Sequence, residues 1–439
     1  MRGLLVAAIL TLLLFASRTA YADNPFPIHV SKSQKFFEDS NGKPFLLQGD
    51  TAWSLVAELN REDTELYLTD RKKRGFNALL VNLIEHQFSS RPPANFYGDK
   101  PFLGAAFGEL NPAYFDHAEW VVKRAKALGL AVFLTPAYLG VNGSDQGWFK
   151  EAEAAGPDQM RSYGAAIARR FAGYDNIIWV LGGDFDAPDR ELVIQLANGL
   201  KLAGSKALVS VHSGRDTNTF DLWGDQTWLS FDTVYTYDDV HAAILERSEN
   251  SSMPVILLES SYEFERETTA QRIRRNAYGA VLAGAAGQFY GNNPIWHFTG
   301  PGVFTADGTW KEALDSPGSW SMTILGRLFD RLPWWQLQPD RENRIPADTS
   351  TYAAAKQDMS LIILYGNADR FDLNRDAVNA GFSASWFDPA SGRFFKAEAP
   401  KISEDHASYT PPLNPDMGIQ SDWILLLGTE PSLKAIQKK

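Results

Sequence analysis

The sequence predicts an α/β protein in which a (β/α)8 barrel (a TIM barrel) is followed by a small antiparallel β-sandwich domain. From Phe45 to about Leu332, short apolar runs rich in β-branched residues alternate with longer stretches of helical spacing. This alternation is typical of a parallel sheet, because parallel strands need crossover connections. Beyond Leu332, strand-like runs continue without helical periods. We therefore predict a barrel with an N-terminal β-hairpin over residues 23–340 and a β-sandwich over residues 344–430.

Eight runs are predicted as the barrel strands. They are residues 45–50, 77–84, 131–138, 177–182, 207–212, 233–237, 255–259 and 287–290. An open, doubly wound sheet is the alternative arrangement. No GxGxxG turn follows the first strand, so no dinucleotide site supports that alternative, and the closed barrel is favoured.

Local signals mark individual elements around these strands. Asn111 and Pro112 are typical of a helix start, and Gly129 of the end of the same helix. The dipeptide at residues 41–42, Asn-Gly, predicts a hairpin turn, and we expect this hairpin to pack against the N-terminal end of the barrel.

The predicted sandwich contains Trp386 and Trp423, which either form part of its core or offer a platform for carbohydrate. Core positions are favoured, since alternate residues of sandwich strands point inward. The last stretch, residues 431–439, reads as a polar and disordered tail.

The first 22 residues are typical of a signal peptide. Arg2 is followed by an apolar stretch from Leu4 to Phe15, and Ala20-Tyr21-Ala22 is a small-x-small cleavage site. The alternative is a membrane anchor, but the apolar run is short for a span of about 20 residues. We expect cleavage after Ala22 and a secreted or periplasmic protein that is not bound to a membrane.

Composition excludes several functions. The chain has no cysteine, so it forms no disulfide, thiolate metal site or cysteine nucleophile. Its formal net charge of -11 and lack of basic runs argue against nucleic acid as a partner. No HExxH or similar spacing suggests a metal site, and we expect no cofactor. The 13 tryptophans leave aromatic rings available to stack on a ligand.

Two acids stand directly at predicted strand ends, Asp184 after the fourth strand and Glu259 at the end of the seventh. Barrel chemistry lies at the C-terminal ends of the strands, and glycoside hydrolysis needs two carboxyl groups. The alternative is that each acid is a helix cap or an ion-pair partner. Asp186 and Asp189 fit such helix-start positions.

Other acids and polar or aromatic residues complete the expected site. Glu263 and Glu265 are expected to be solvated loop acids. The substrate-binding candidates are Asp50, Trp53, Asn82, Glu85, Tyr138, Trp148, His212, Tyr235, Tyr237, Tyr290, Asn292 and Trp296. For Trp53 the alternative is core packing, and for Glu85 a loop salt bridge. Trp148 is expected to expose its ring to a sugar, and His212 to orient other groups rather than to bind a metal.

The motifs "FLLQGDTAWSL", "RGFNALLVNL", "NIIWVLGGD", "PVILLES" and "GQFYGNNPIW" resemble the apiosidase-like (β/α)8 glycoside hydrolases over about residues 27–338. The later motifs "SWFDPASGRF" and "DWILLLG" are similar to a C-terminal domain that is linked to collagen binding. The first resemblance implies a retaining mechanism with Asp184 as acid/base and Glu259 as nucleophile. It also implies that Tyr235 or Tyr237 hydrogen-bonds to Glu259.

One departure from the wider clan concerns the fourth strand. The clan usually has a Glu there, preceded by Asn, where this chain has Asp184 preceded by Gly183. The glycines would let the backbone come closer and offset the shorter side chain.

We therefore expect a secreted retaining glycoside hydrolase whose partner is an oligosaccharide or polysaccharide of plants or microbes. The resemblance points to apiosidase-type cleavage of pectin side chains. The alternatives are a carbohydrate-binding protein without catalysis and a surface-adhesion protein that works through its β-domain.

Overall fold

The computed structural model describes residues 24–378, 381–412 and 422–438. The predicted signal peptide, residues 1–22, lies outside these described residues. Among the described helices, none combines the length and the apolar character needed to cross a bilayer.

Eight parallel strands form the predicted barrel. They are β4 (Leu47–Thr51), β5 (Ala78–Asn82), β6 (Ala131–Thr135), β7 (Ile177–Gly182), β8 (Val209–His212), β9 (Asp232–Tyr235), β10 (Val255–Glu259) and β11 (Gly287–Tyr290). Neighbours in the sheet follow the chain, and β11 pairs with β4. β8 and β9 meet where Ser230 N donates to Val209 O (2.8 Å) and Thr233 Oγ1 donates to Val211 O (2.5 Å).

The strands are buried on both faces, which explains their continuous apolar runs. Inside the barrel, the ring of Phe289 occupies the space beside Gly49, where an added Cβ would lie 2.1 Å from the ring. Phe289 also packs edge-on against Phe133, with ring centroids 4.9 Å apart. The barrel interior is therefore a packed core, and a ligand can reach only its ends.

Helices cover the outside of the barrel. They are α1 (Leu55–Glu58), α2 (Arg61–Lys73), α3 (Pro112–Ala127), α4 (Phe149–Ala155), α5 (Pro157–Arg170), α6 (Glu191–Leu202), α7 (Thr219–Trp223), α8 (Val240–Asn250), α9 (Ala270–Leu282), α10 (Trp310–Ala313) and α11 (Pro317–Phe329). The predicted caps of α3 are present, since Asn111 Oδ1 accepts from Ala113 N at 3.2 Å and Gly129 has a φ of +69°.

A three-stranded sheet precedes the barrel, formed by β1 (His29–Val30), β2 (Phe37–Glu38) and β3 (Pro44–Phe45). The predicted Asn41-Gly42 turn joins β2 to β3, with Gly42 at a φ of +77°. Phe37 is fully buried and contacts Phe231, which lies directly before β9, at 5.6 Å between ring centroids. The hairpin therefore closes the N-terminal end of the barrel, as expected.

The C-terminal region is the predicted antiparallel sandwich. Its strands are β12 (Leu337–Pro339), β13 (Tyr352–Lys356), β14 (Leu361–Gly366), β15 (Phe371–Asn374), β16 (Ser383–Phe387), β17 (Phe394–Lys396), β18 (Lys401–Ile402), β19 (His406–Tyr409) and β20 (Trp423–Gly428). One sheet has the order β12-β13-β14-β20-β16-β17 and the other β15-β19-β18. Trp386 and Trp423 lie buried in the core of this domain and offer no platform to a carbohydrate.

The expected disordered tail is wrong for residues up to 438. Residues Glu430–Lys438 form helix α12, which packs against β16 and β20. Leu433 and Ile436, three positions apart, are buried on one face of this helix. The burial of these two side chains stabilises the helix, although the other residues of the segment are mostly polar.

The two domains are joined through α9, the helix that follows β10. Arg274 of α9 donates two hydrogen bonds to Asp422, at 2.7 and 2.5 Å, and both side chains are buried. Tyr365 of β14 donates to the same carboxylate at 2.8 Å. His241 of α8 stacks on Tyr352 of β13 with centroids 4.0 Å apart. The interface therefore resembles an interior more than a flexible domain contact.

Replacing Arg274 by Met should destabilise the protein by about 3–5 kcal/mol, because Asp422 would stay buried without its ionic partner. Urea denaturation monitored by tryptophan fluorescence measures the change. Arg344→Met is the matched control, because the Arg344–Glu342 ion pair is exposed and should contribute about 0–1 kcal/mol. Equal unfolding midpoints for the two variants would contradict the importance of the buried pair.

Candidate active site

The two acids predicted from the strand ends lie together at the C-terminal end of the barrel. Glu259 is the last residue of β10, and Asp184 follows β7 by two residues. One carboxylate oxygen of Asp184, one of Glu259 and a ring nitrogen of His212 all lie within 4.8 Å of one another. His212 is the last residue of β8. The structure thus assembles three polar side chains from three strands.

The backbone before Asp184 explains its two glycines. Gly182, Gly183 and Asp184 have φ angles of +79°, +127° and +52°. A Cβ on Gly183 would lie 2.3 Å from the Tyr138 ring, and one on Gly182 would lie 2.7 Å from the carbonyl oxygen of His212. Asp tolerates the left-handed region better than most residues. The glycines therefore let Tyr138 and His212 approach the turn that presents Asp184.

His212 is fully buried between the two acids. Its Nε2 lies 2.7 Å from Glu259 Oε2, and its Nδ1 lies 3.7 Å from Asp184 Oδ1. Nδ1 is also 3.1 Å from Ser213 O, to which it donates when protonated, and 3.2 Å from Asp184 N, from which it accepts when neutral. Burial lowers the pKa of His212, but the hydrogen bond to Glu259 and the charges of both acids raise it overall to about 9. The protonated ring is therefore favoured at neutral pH.

Asp184 is a weaker acid than an ordinary aspartate. Burial and the nearby charge of Glu259 raise the pKa of Asp184 to about 6, while His212, Tyr138 and Arg215 lower it. Tyr138 donates to Asp184 Oδ2 at 2.8 Å. Asp184 is thus a carboxyl group that holds a proton at mildly acidic pH.

Glu259 has two donors of its own. His212 Nε2 contacts Oε2, and the Tyr237 hydroxyl lies 3.5 Å from Oε1. The Tyr235 hydroxyl in turn donates to Tyr237 at 3.3 Å. The tyrosine expected beside Glu259 is therefore Tyr237, with Tyr235 behind it.

A cleft of about 300 Å³ opens above these groups. Besides the two acids, six of the predicted substrate-binding residues line it. They are Trp53, Asn82, Tyr138, Tyr235, Tyr237 and Trp296. Their roles toward a substrate remain predictions, but their positions allow contact with one.

Asp50 does not reach the cleft. It is fully buried, accepts from the Tyr67 hydroxyl at 2.7 Å and pairs with the buried Arg71 at 3.4 Å. Burial raises the pKa of Asp50 to about 6, although Arg71 and Tyr67 oppose this shift. Asp50, predicted to bind substrate, therefore lies behind the cleft, because Tyr67 and Arg71 of α2 enclose its carboxylate.

Glu85 also lies behind the cleft. Its carboxylate accepts from the backbone N–H groups of His86 and Phe88 and from Asn82 Nδ2, at 3.0, 3.2 and 3.2 Å. It therefore holds Asn82, which does line the cleft. Like Glu85, His212 contacts groups of the site rather than the cleft itself.

Tyr290 and Asn292 donate hydrogen bonds to Glu263, a buried acid that we expected to be solvated. Glu263 is 1% exposed and accepts from the Tyr290 hydroxyl at 2.5 Å, from Asn292 Nδ2 at 3.0 Å and from Gly318 N at 2.6 Å. Tyr290 and Asn292 are therefore not part of the cleft surface. This network ties β11 to the start of α11.

The exposed ring expected at Trp148 is wrong as well. Trp148 is buried and meets Phe102, Phe107 and His86 edge-on. Gln146, two residues earlier, lines the cleft instead. The loop after β6 turns its apolar ring inward, because burial of such a large apolar surface is favourable.

Asp186 was expected at a helix start, but it bridges to the next loop. It accepts from Gly214 N at 3.0 Å and from Thr217 Oγ1 at 2.6 Å. Asp189 accepts from Glu191 N at 2.9 Å, directly at the start of α6. Asp186 therefore joins the loops after β7 and β8.

Asp184, His212 and Glu259 are also close enough to hold a metal ion, and no other such group was found among the described residues. Both ring nitrogens of His212 already contact protein groups. This geometry favours a hydrogen-bonded triad, and the expectation of no metal remains a prediction.

Residues 31–336 match the family model described as "Apiosidase-like, catalytic domain". The chain belongs to the apiosidase-like family. Residues 342–428 match a second model, "Putative collagen-binding domain of a collagenase". The predicted family and enzyme class, a glycoside hydrolase, are confirmed.

Solved structures similar to this apiosidase-like protein have the same fold. A glycoside hydrolase of family 5 from Bacteroides vulgatus has a TM-score of 0.78 and 22% identity, over 92% of this chain and 93% of that one. A second glycoside hydrolase has a TM-score of 0.77 and 23% identity, over 93% and 98%. A family 5 mannosidase from Rhizomucor miehei has a TM-score of 0.52 and 12% identity, over 70% and 97%. None of the curated proteins compared matches the chain.

Sequence reasoning missed part of the cleft of this apiosidase-like enzyme. The missed lining residues are Phe88, Val141, Gln146, Arg215, Tyr262, Glu265, Arg266, Val303 and Phe304. They come from loops that follow the barrel strands, whose paths are not encoded by a short motif. The only available signal was that they follow predicted strand ends, most of them within eight residues.

Glu265, expected to be solvated, is mostly buried and accepts from Trp296 Nε1 at 2.9 Å. Burial raises the pKa of Glu265 to about 7, and the charge of Glu259 adds to this, against the hydrogen bond from Trp296 and the charge of Arg266. Glu265 is therefore a third carboxyl group at the cleft, beside the two predicted ones.

Replacing Gly183 by Ala should destabilise the protein by about 1–3 kcal/mol, because the new Cβ would clash with the Tyr138 ring at a backbone angle that suits glycine. Thermal unfolding measures the effect. Gly173→Ala is the control, since nothing lies within 4 Å of its added Cβ. A Gly183→Ala protein as stable as this control would show that the close approach of Tyr138 is not required.

Proposed function

We propose that the protein is a secreted, retaining glycoside hydrolase with Asp184 as acid/base and Glu259 as nucleophile. The observation on which this rests is the pairing of the two carboxyl groups, with oxygens within 4.8 Å of each other at the strand ends. Retaining enzymes have carboxyl groups about 5–5.5 Å apart, whereas inverting enzymes leave room for a water molecule at about 6.5–9.5 Å.

The reaction proceeds in two steps. Asp184 donates its proton to the glycosidic oxygen while Glu259 attacks the anomeric carbon, so that the glycosidic bond breaks and a glycosyl-enzyme ester forms. Asp184, now ionised, then takes a proton from a water molecule that attacks the same carbon. The ester bond to Glu259 breaks, and both carboxyl groups return to their starting states.

The environments of the two acids support this division of roles. Burial and the charge of Glu259 raise the pKa of Asp184 to about 6, so that Asp184 keeps its proton below this pH. Glu259 instead receives hydrogen bonds from His212 and Tyr237, which compensate a negative charge on its oxygens. A pair of carboxyl groups with different environments is the usual arrangement for an acid and a nucleophile.

The substrate is a polysaccharide of plants or microbes, with an apiosidase-type bond in pectin side chains as the specific proposal. Arg215 and Arg266 bring two positive charges to the cleft. The carboxylates of the uronic acids in pectin would form ion pairs with these two guanidinium groups. Their guanidinium carbons lie 5.8 and 5.6 Å from the ring centre of Tyr237. Trp53 and Trp296 supply apolar ring surface in the same cleft.

Export supports this substrate. Residues 1–22 have the pattern of a signal peptide, and an extracellular or periplasmic enzyme can meet a polysaccharide that does not enter the cytoplasm. The protein would act there without a bound cofactor or metal.

Hydrolysis of a panel of pectic and other plant or microbial oligosaccharides tests the proposal. The expected result is cleavage with the anomeric configuration of the product retained, as seen by NMR immediately after mixing. Glu259→Gln should lower kcat on the order of 10⁴-fold, since the nucleophile is lost. Inversion of configuration, or full activity in Glu259→Gln, would refute the assigned mechanism.

Two further variants serve as controls. Glu249→Gln removes an exposed carboxylate outside the site and should leave kcat unchanged. Asp184→Asn should lower the rate on natural oligosaccharides by about 10²–10⁴-fold. Activated aryl glycosides should recover much of this loss in kcat/KM, because their leaving groups need no proton, whereas kcat should stay low because Asp184 also takes the proton from water in the second step.

The activity should fall as pH rises through about 6, because Asp184 must be protonated to donate and loses its proton there. A profile of kcat/KM between pH 4 and 9 measures this basic limb. In Asp184→Asn, assayed on an activated aryl glycoside, the limb should be absent. If the variant retains the same limb, a group other than Asp184 controls it.

A further inference from the structure

A second concave surface lies at the opposite end of the barrel from the active cleft. We call it the basal groove. It runs past Asn77 and Gly129, one and two residues before the starts of β5 and β6, and past Trp334 and Trp335 of the segment that joins the two domains. Its volume is about 1110 Å³, against about 300 Å³ for the active cleft. A groove of this size exceeds the usual range for a small-molecule site and fits a chain of several sugar rings.

The basal groove is basic in a protein that is otherwise acidic. Lys43, Lys72, Lys73, Lys123 and Arg327 line it, are all exposed, and form no ion pair with a described residue. The acids that line it are Asp39 and Asp330. The whole chain has a formal net charge of -11, so these cations are concentrated against the overall charge. Such a concentration attracts a polyanion.

Aromatic surface accompanies these charges. Trp335 is 39% exposed and meets Trp334 edge-to-face, with centroids 6.1 Å apart. Trp334 also packs against Phe36, which fixes the pair on the N-terminal sheet. An exposed indole can stack on a sugar ring, whereas a bare phosphate or a peptide carboxylate would gain nothing from it.

We propose that the basal groove binds a chain of uronic acid residues and holds an anionic polysaccharide on the enzyme, away from the active cleft. The lysines and Arg327 would contact the sugar carboxylates, and Trp335 would stack on a ring. The proposed function enters only through the choice of a polysaccharide as the ligand. The surface itself is established by its charge and its exposed indole.

Affinity electrophoresis of the intact Glu259→Gln protein tests the proposal, because this background cannot degrade the probe. Gels contain either de-esterified polygalacturonate or a neutral galactan. Polygalacturonate should retard the protein at low ionic strength, and added salt should weaken the retardation. Galactan should have little effect. Equal retardation by both polymers would overturn the role of the charges.

Substitutions locate the binding surface. The triple change Lys72→Ser, Lys73→Ser and Lys123→Ser should raise the dissociation constant for polygalacturonate about tenfold, since several exposed ion pairs are lost together. The matched control changes three exposed lysines outside the groove to Ser, namely Lys32, Lys201 and Lys401. Its dissociation constant for polygalacturonate should stay within about twofold of the parent value. Trp335→Ala should weaken binding without any change of charge. Both lysine triples should unfold at the temperature of the parent protein.

The active cleft provides the decisive comparison. If Arg215→Gln with Arg266→Gln abolishes retardation while the basal triple retains it, the polymer binds in the cleft and the basal groove has no such role. That result would leave the proposed hydrolase function untouched. Conversely, a protein without hydrolytic activity that still binds through the basal groove would refute only the proposed function. Binding of the parent to vesicles of phosphatidylglycerol but not to polygalacturonate would assign the groove to membranes and overturn the proposal.

Discussion

The buried ring of His212 controls the charge balance of the active cleft. It contacts Glu259 directly and lies 3.7 Å from Asp184, so a proton on the ring is stabilised by both acids. Two carboxylates this close would repel each other, which disfavours the ionised form of one of them. A proton on His212 balances the charge of one carboxylate, so the triad is neutral when one of the two acids also holds a proton. The arrangement depends on Gly182, because a side chain there would meet the carbonyl oxygen of His212.

A second layer of acids supports the cleft from behind. Asp50 binds Tyr67 and Arg71, Glu85 binds Asn82 and the backbone after β5, and Glu263 binds Tyr290 and the start of α11. All these acids lie at or just beyond the ends of barrel strands, as the candidate catalytic acids do. They differ from Asp184 and Glu259 in their access to the cleft, because Asp184 and Glu259 line it and these three acids do not. Position at a strand end therefore does not distinguish a supporting acid from one that faces a substrate.

The C-terminal domain packs against the helices around the barrel through buried side chains. Arg274 and Tyr278 lie on α9, which follows β10, and they contact Asp422 and Tyr365 of the sandwich. The loop between Glu259 and α9 also contains Glu263 and Glu265. The sandwich therefore packs against the helix that follows the loop of the cleft. Its own tryptophans are buried, so any ligand of this domain would have to bind by other residues.

The sequence by itself determined the barrel, its strand order and the two acids Asp184 and Glu259, because hydrophobic periodicity and strand ends are local signals. Every residue of β7 and β10 is buried, and such continuous apolar runs are readable without neighbours. Strand ends also placed Tyr138, Tyr237 and His212 near the same mouth. The helical end of the chain was missed, because Leu433 and Ile436 become apolar contacts only when β16 and β20 are present to cover them.

Only the tertiary structure decided which polar residues face the cleft. Asp50 and Glu85 turn away because Arg71 and the backbone after β5 offer them partners, whereas Arg215 and Glu265 reach the cleft through loops. The direction of Trp148 likewise depends on Phe102 and Phe107, distant in sequence. Whether a polar group meets protein or solvent is settled by contacts between distant segments, and those contacts exist only in the folded chain.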